Sequence, residues 1–279
     1  MADRLDGRIA VITGAGSGLG RRSALLFAEE GGRVVVADIN AERAHRVAAE
    51  ITDAGGSATA RTCDVADPTQ VRELVGLAVD TYGTLDVMFN NAGIPMVGVL
   101  EDPSPDELRR LFAVNVLGVV YGCQFAAPVM KAKGRGSIVN TSSASGLQAI
   151  PRNSIYGASK GAVNALTRNL AVELGPHNIR VNALCSMGGM SANMARAPDA
   201  PLVDEDAEDA SWDPSRSLYV LAGPRPPKLI DHAHVALFFA SDEAAWCSGV
   251  CMPVDGATSA KMSIDVGKKL ASYDRADGA

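Results

Sequence analysis

Short apolar and β-branched runs return along the chain at intervals filled by helical patterns: RIAVIT at 8–13, RVVVAD at 33–38, LDVMFN at 85–90, SIVNTS at 137–142 and IRVNAL at 179–184. Strands that alternate with helices predict a parallel sheet. Two weaker runs, around Ala58–Cys63 and Val250–Val254, supply two further strands. Most of these runs are apolar at consecutive positions, the pattern of strands covered by helices on both faces. The expected fold class is α/β, doubly wound.

The helices carry their own start and stop signals. Ser104, Pro105 and Glu107 form a capping box with proline at the first helical position, and Asp67, Pro68 and Gln70 repeat the arrangement. Gly55, Gly83 and Gly175 follow helical segments where a left-handed residue would end them. After Asn182 the regularity breaks: residues 187–228 are rich in Met, Pro, Ala and acid, with DEDAED at 204–209. An insert of this length is a lid over a pocket or a solvated excursion. Met190, Met194, Trp212, Leu218 and Tyr219 favour the lid.

A length of 279 residues allows two domains or one large α/β domain. The formal charge of −6 argues against nucleic acid as a partner. Five cysteines with no CxxC pair read as reduced thiols, and the N-terminus lacks the apolar core of a signal peptide, so a cytoplasmic location is expected. The uncharged stretch Leu111–Met130 is long enough to span a bilayer. Its Asn115, Gln124, Gly118, Gly122 and Pro128 favour a buried helix at a subunit interface instead, so no membrane partner is expected. His232 and His234 have no carboxylate or cysteine at ligand spacing; they read as surface or core histidines, and no metal site is expected.

TGAGSGLG at 13–20 follows the first strand and opens a helix. Glycines there let the backbone turn and approach a pyrophosphate, which the helix start favours electrostatically. Asp38, eighteen residues beyond Gly20, ends the second strand, where a carboxylate can accept both hydroxyls of an adenosine ribose. An added phosphate would meet it at a cost of roughly 4 kcal/mol for like charges about 4 Å apart. That favours NAD over NADP, and neither Ser17 nor Ile39 supplies a cation to offset it. The alternative is that Asp38 caps the helix beginning near Ala41.

Tyr156 and Lys160 lie four apart in a helical stretch of about Ser154–Leu174, on one face. A tyrosine acts as a base near neutral pH only if a nearby cation favours its phenolate. Ser143 comes thirteen residues earlier at a strand end, and Asn91, Ala92 and Gly93 follow another strand in the same topological position. With these residues in place the sequence resembles the short-chain dehydrogenase/reductase family from about Leu5 to Gly256.

The resemblance implies one Rossmann-type domain over 1–279, with a seven-stranded parallel sheet that binds NAD(P) at its carboxyl edge. It makes Tyr156 the acid/base, and Lys160 the residue that binds the nicotinamide ribose and lowers the tyrosine pKa. Ser143 would hold the substrate oxygen, and Asn115 a water of the proton relay. Gly14, Ser17, Gly18, Leu19, Asp38, Ile39, Asp64, Val65, Asn91, Ala92 and Gly93 would contact cofactor, with Asp64 and Val65 on the adenine side. The structural alternatives for Asn115 and Asn91 are a helix kink and sheet-stabilising hydrogen bonds. Where the family has Pro-Gly and then a threonine, this chain has CSMGGMS, with Ser186 and Met187 replacing the pair and Ser191 in place of the threonine.

The implied activity is NAD-dependent interconversion of a secondary alcohol and a ketone on a hydrophobic or alicyclic small molecule. Leu147, Ile150, Met187, Met190, Met194 and Trp212 are the expected walls. A 3-oxoacyl-carrier reductase and a non-catalytic dinucleotide sensor or scaffold are the alternatives. The family's usual dimers or tetramers imply a homo-oligomer built on the helices of Asn115 and Tyr156. Residues 259–279 lie past the usual end of the fold, as a tail or an arm to a neighbour.

Overall fold

In the computed structural model the described residues are 3–187, 193, 200–203, 213, 219–221 and 223–260. Met190, Ser191, Met194, Trp212, Leu218, DEDAED and 261–279 lie outside them.

Seven parallel strands form one sheet: β1 (Ile9–Thr13), β2 (Arg33–Asp38), β3 (Ser57–Thr62), β4 (Val87–Asn90), β5 (Gly136–Ser143), β6 (Ile179–Ser186) and β7 (Cys251–Val254). Their order is β3-β2-β1-β4-β5-β6-β7, with the reversal between β1 and β4. Sequence and structure agree on every strand. The largest shifts are of two residues, at the start of β4, which begins after Asp86, and at the end of β6, which runs on to Ser186. Asp86, just before β4, still bonds both neighbouring strands through its backbone, its N–H donating to the Ile9 carbonyl and its carbonyl accepting the Ser137 amide (both 2.9 Å), while its carboxylate accepts the Ile9 amide (3.0 Å) and pairs with Lys133 (2.6 Å).

Helices α1 (Gly18–Glu29), α2 (Ala41–Asp53), α3 (Pro68–Tyr82), α4 (Pro105–Phe112), α5 (Gly118–Lys133), α6 (Ser154–Leu174) and α7 (Leu229–Ala240) cover both faces. Residues alternate between two cores because side chains alternate across a strand. Ala10 and Ile12 of β1 join α1, α2 and α7 on one face, while Ile9 and Val11 join α3, α5 and α6 on the other.

Ser104 and Glu107 form the expected reciprocal box, with the Ser104 amide donating to Glu107 (2.8 Å) and the Glu107 amide to Ser104 Oγ (3.3 Å). Asp67 caps α3 through Thr69, yet Gln70 does not return to the capping amide. Its Oε1 accepts the Asp64 amide (2.9 Å) instead, closing the loop after β3. Gly55 and Gly83 are left-handed as expected, but Gly175 is helical, and Asn178 (φ 58) makes the reversal three residues later.

The uncharged stretch lies in one continuous helical run, Pro105–Lys133, in which a π-turn at Ala113–Leu117 joins α4 to α5. By length and composition it could cross a membrane. Leu111, Val114, Val119, Cys123, Ala126 and Met130 are buried along it, and all but Leu111 pack in the core on the α3, α5 and α6 face.

Candidate active site

The turn from β1 into α1 is shaped by contacts that exclude side chains. A Cβ at Gly14, where φ is +62°, would meet Ala92 Cα at 2.9 Å, and one at Gly20 would meet Asn91 Nδ2 at 2.6 Å. The segment after β4 therefore packs directly on the glycine turn. Asn91 ties the junction, donating to the Thr13 and Gly14 carbonyls (3.0 and 3.3 Å) and accepting from Thr141 (3.2 Å), as its structural alternative anticipates.

Ser17 precedes α1 without making a side-chain cap, and the first turn holds no acid. Its amides and the positive end of its dipole are thus open to an anion. Ser17, Gly18 and Leu19 line a cleft shared with Gly14, Asp38, Ile39, Asp64, Val65, Asn91, Ala92 and Gly93. All the described residues expected to contact cofactor, other than Tyr156 and Lys160, surround this one cleft. Ser191 lies outside the described residues.

Asp38 is buried at the end of β2, where its Oδ2 accepts the Gly16 amide and its Oδ1 the Asn40 amide, both at 2.9 Å. It does not cap α2; Asn40 does, accepting the Arg43 amide. The carboxylate is fixed in position, with lone pairs left for a ribose. Sequence reasoning missed six residues of this cleft, the apolar or thiol side chains Cys63, Ile94 and Val114 and the polar Arg43, Arg110 and Asn193. Arg43 is the cation that neither Ser17 nor Ile39 provides, and its guanidinium reaches the Ala200 carbonyl (2.5 Å). Its signal was its place in the first turn of the helix after Asp38. Arg110 pairs with Asp64 (2.9 Å) from α4, a pairing that only tertiary structure reveals. An uncapped helix start, a strand-end carboxylate and flanking guanidiniums in one cleft fit a dinucleotide's phosphates and ribose.

At the far end, Gly93 adjoins a buried polar cluster: a Cβ there would lie 3.3 Å from Asn115 Oδ1 and 3.5 Å from Lys160 Nζ. Lys160 donates to the Thr141 carbonyl (2.9 Å), and its Nζ stands 5.7 Å from the centre of the Tyr156 ring. Ser143 ends β5, donates to the Ser186 carbonyl (3.4 Å) and hydrogen-bonds Tyr156. Asn115 sits inside the π-turn, as the kink alternative anticipates. Its amide is committed to Ile94, accepting from the N–H (2.8 Å) and donating to the C=O (2.9 Å).

The electrostatics differ from expectation. Burial pushes the Tyr156 hydroxyl up to about 12, opposed by its hydrogen bond to Ser143, and burial lowers Lys160 to about 8. Desolvation is the larger influence on Tyr156 and Ser143 the opposing one, with no contribution from Lys160. Tyr156 is poised as a proton donor. The expected walls also separate: Leu147 and Ile150 line a hollow at the start of α6, whereas Met187 lines another beside β7. Met190, Met194 and Trp212 lie outside the described residues.

A family model described as short chain dehydrogenase matches residues 8–201. The chain belongs to this family. It is 36% identical over 262 residues to a cyclohexanol dehydrogenase from an Acinetobacter species, covering 94% of this chain and 98% of the relative. It is 37% identical over 259 residues to a 2,5-dichloro-2,5-cyclohexadiene-1,4-diol dehydrogenase from Sphingobium indicum, covering 93% and 99%. Among solved structures, a 7α-hydroxysteroid dehydrogenase complexed with NADH and 7-oxo glycochenodeoxycholic acid matches with a TM-score of 0.78. The two share 33% identity, over 91% of this chain and 95% of the other.

Proposed function

We propose that this protein is an NAD-preferring oxidoreductase, a single domain, that interconverts a secondary alcohol and a ketone on an apolar alicyclic skeleton. The observation that carries the reading is the meeting of Lys160 and Asn115 next to Gly93, with Tyr156 beside Lys160 and Ser143 beside Tyr156, at the end of a cleft that begins at the uncapped start of α1. Bound there, the nicotinamide supplies the hydride acceptor or donor. Tyr156 gives its proton to the carbonyl oxygen in reduction and takes it back in oxidation, while Ser143 hydrogen-bonds the same oxygen. Lys160 would hold the nicotinamide ribose. Asn115 holds Ile94 and, through it, the wall beside Gly93.

Three similarities support the substrate class, since the relatives' names specify cyclohexanol, a cyclohexadiene diol and a hydroxysteroid. Asp38 supports NAD, as does the NADH of the steroid enzyme's complex.

The test is fluorescence titration with NADH and NADPH, with turnover of cyclohexanol and steroidal secondary alcohols measured in parallel. NADH binds more tightly, and Tyr156→Phe lowers kcat by at least about a thousandfold while leaving nucleotide affinity within about twofold. Binding of neither nucleotide refutes the reading. Nucleotide binding with turnover unaffected by Tyr156→Phe refutes the role of the tyrosine.

A further inference from the structure

The hydroxyl of Ser143 is held from behind. Ser143 stands in extended backbone (φ −152°, ψ 157°) at the end of β5, and a short helical turn, Ala144–Gly146, follows it. The Ser145 amide donates to Ser143 Oγ (3.1 Å), and Oγ in turn donates to the Ser186 carbonyl (3.4 Å). A serine oxygen has two lone pairs and one proton. With two of these three positions assigned, the third is left for Tyr156, to which Ser143 is hydrogen-bonded. The direction of the hydroxyl therefore depends on where the Ser145 amide is kept.

The turn that carries this amide lies directly on α6. A Cβ on Gly157, the residue after Tyr156, would come within 2.9 Å of the Ser145 carbonyl oxygen, and one on Gly146 within 2.7 Å of the Lys160 carbonyl carbon. Asn164 donates to the Gly146 carbonyl (3.0 Å), which anchors the far end of the turn. Ser145 itself is tied to the start of α6 by a side-chain bond, from Asn153 Nδ2 to Ser145 Oγ (2.9 Å).

Asn153 breaks two local rules in making that bond. It immediately precedes α6, where an asparagine side chain ordinarily accepts an amide of the first turn, yet it makes no such cap. Its Oδ1 is buried without a hydrogen-bond partner, whereas buried polar atoms are ordinarily paired. A side chain serving stability alone would cap the helix and satisfy that oxygen in one move. Departures of this kind collect where function holds a group in place.

We propose that Asn153 and Ser145 are positioning residues: Asn153 holds Ser145, and the Ser145 amide fixes the direction in which Ser143 offers its hydroxyl to the reacting oxygen. Their effect on turnover rests on the alcohol–ketone chemistry proposed above; the contacts themselves do not.

The test is a double-mutant cycle in the full-length protein: Ser145→Ala, Asn153→Ala and the two combined. Tyrosine labelled with 13C at Cζ reports on the Tyr156 hydroxyl, and of the five tyrosine signals that of Tyr156 is the one missing from Tyr156→Phe. Ser143→Ala sets the displacement caused by losing the serine hydroxyl. Each single variant moves the Tyr156 signal in that same direction, and the double variant moves it no further. Turnover of cyclohexanol falls about tenfold in each single variant, the weight of one hydrogen bond, and no further in the double. NADH affinity stays within about twofold, which separates lost positioning from a damaged fold. A Tyr156 signal that neither variant moves overturns the inference, as do effects that add in the double variant or a loss of NADH affinity as large as the loss of turnover. The single variants cut one bond from opposite ends, so either decides the matter if the other does not fold. Turnover that survives Tyr156→Phe refutes the proposed reaction instead, and the Tyr156 signal then still decides whether Asn153 acts on Ser143.

Discussion

Nucleotide choice comes down to a few side chains around the end of β2. Asp38 is held by two backbone amides and cannot easily turn away from a phosphate on the ribose, whereas Arg43 in the same cleft would partly screen the repulsion. The roughly 4 kcal/mol of an isolated like-charge contact is therefore an upper bound. Asp38→Ala is expected to shift the ratio of NADPH to NADH affinity by about 100-fold toward NADPH, with Arg43→Gln reversing part of that gain. Parallel fluorescence titrations check it, and an unchanged ratio in Asp38→Ala rejects the assignment of the carboxylate. Lys160 gives a second expectation, in pH. Its folded value of about 8 lies below the ordinary 10.5, so between these values the unfolded chain binds the more protons and stability rises with pH. Tyr156, raised from 10 to about 12, acts oppositely between those values. Relative to Lys160→Met, the wild-type chain should gain stability between about pH 8 and 10, by up to about 3 kcal/mol at 1.36 kcal/mol per unit. Urea unfolding of both proteins at several pH values measures this; a difference independent of pH would mean that the ammonium is not desolvated.

At the scale of elements, the helical run Pro105–Lys133 shows what a linear pattern conceals. Its capping box and its apolar character are local and could be read from residues 104–130. The π-turn was not legible as such, because a register of five residues depends on what the extra residue meets. At this position Asn115 meets the backbone of Ile94, which crosses from β4. Asn115→Leu removes both bonds and leaves the Ile94 N–H and C=O without their partners. At about 1–3 kcal/mol for each of the two orphaned groups, the loss is expected to be roughly 2–6 kcal/mol. Alongside it, nucleotide affinity should fall, because Gly93 precedes Ile94 in the cleft. Thermal unfolding and NADH titration read the two effects together, and a stability change below about 1 kcal/mol would show that Ile94 is held by other means.

For the whole molecule, the sheet was legible almost residue by residue, since parallel strands covered on both faces carry the strongest local pattern in such a chain. The cofactor cleft was legible because its glycines, Asp38 and Asn91 occupy fixed places at strand ends. Arg43 and Arg110 reach it from helices, and the separation of Met187 from Leu147 and Ile150 follows from the path of the chain between β6 and α7; neither leaves a periodic trace. Assembly is the remaining property at this scale. Phe112 and Leu117 on the Pro105–Lys133 run are 37% and 43% exposed, and Val172 on α6 is 79% exposed. Large apolar side chains on the helices of Asn115 and Tyr156 are expected if those helices pair with a second copy, where a two-fold axis presents each patch to its own counterpart. Leu117→Glu combined with Val172→Glu places like charges across that axis and should convert an oligomer to monomer at micromolar concentration, with circular dichroism unchanged. Light scattering on wild-type and variant chains decides it: a wild-type monomer, or an oligomer that the double variant leaves intact, places the interface elsewhere.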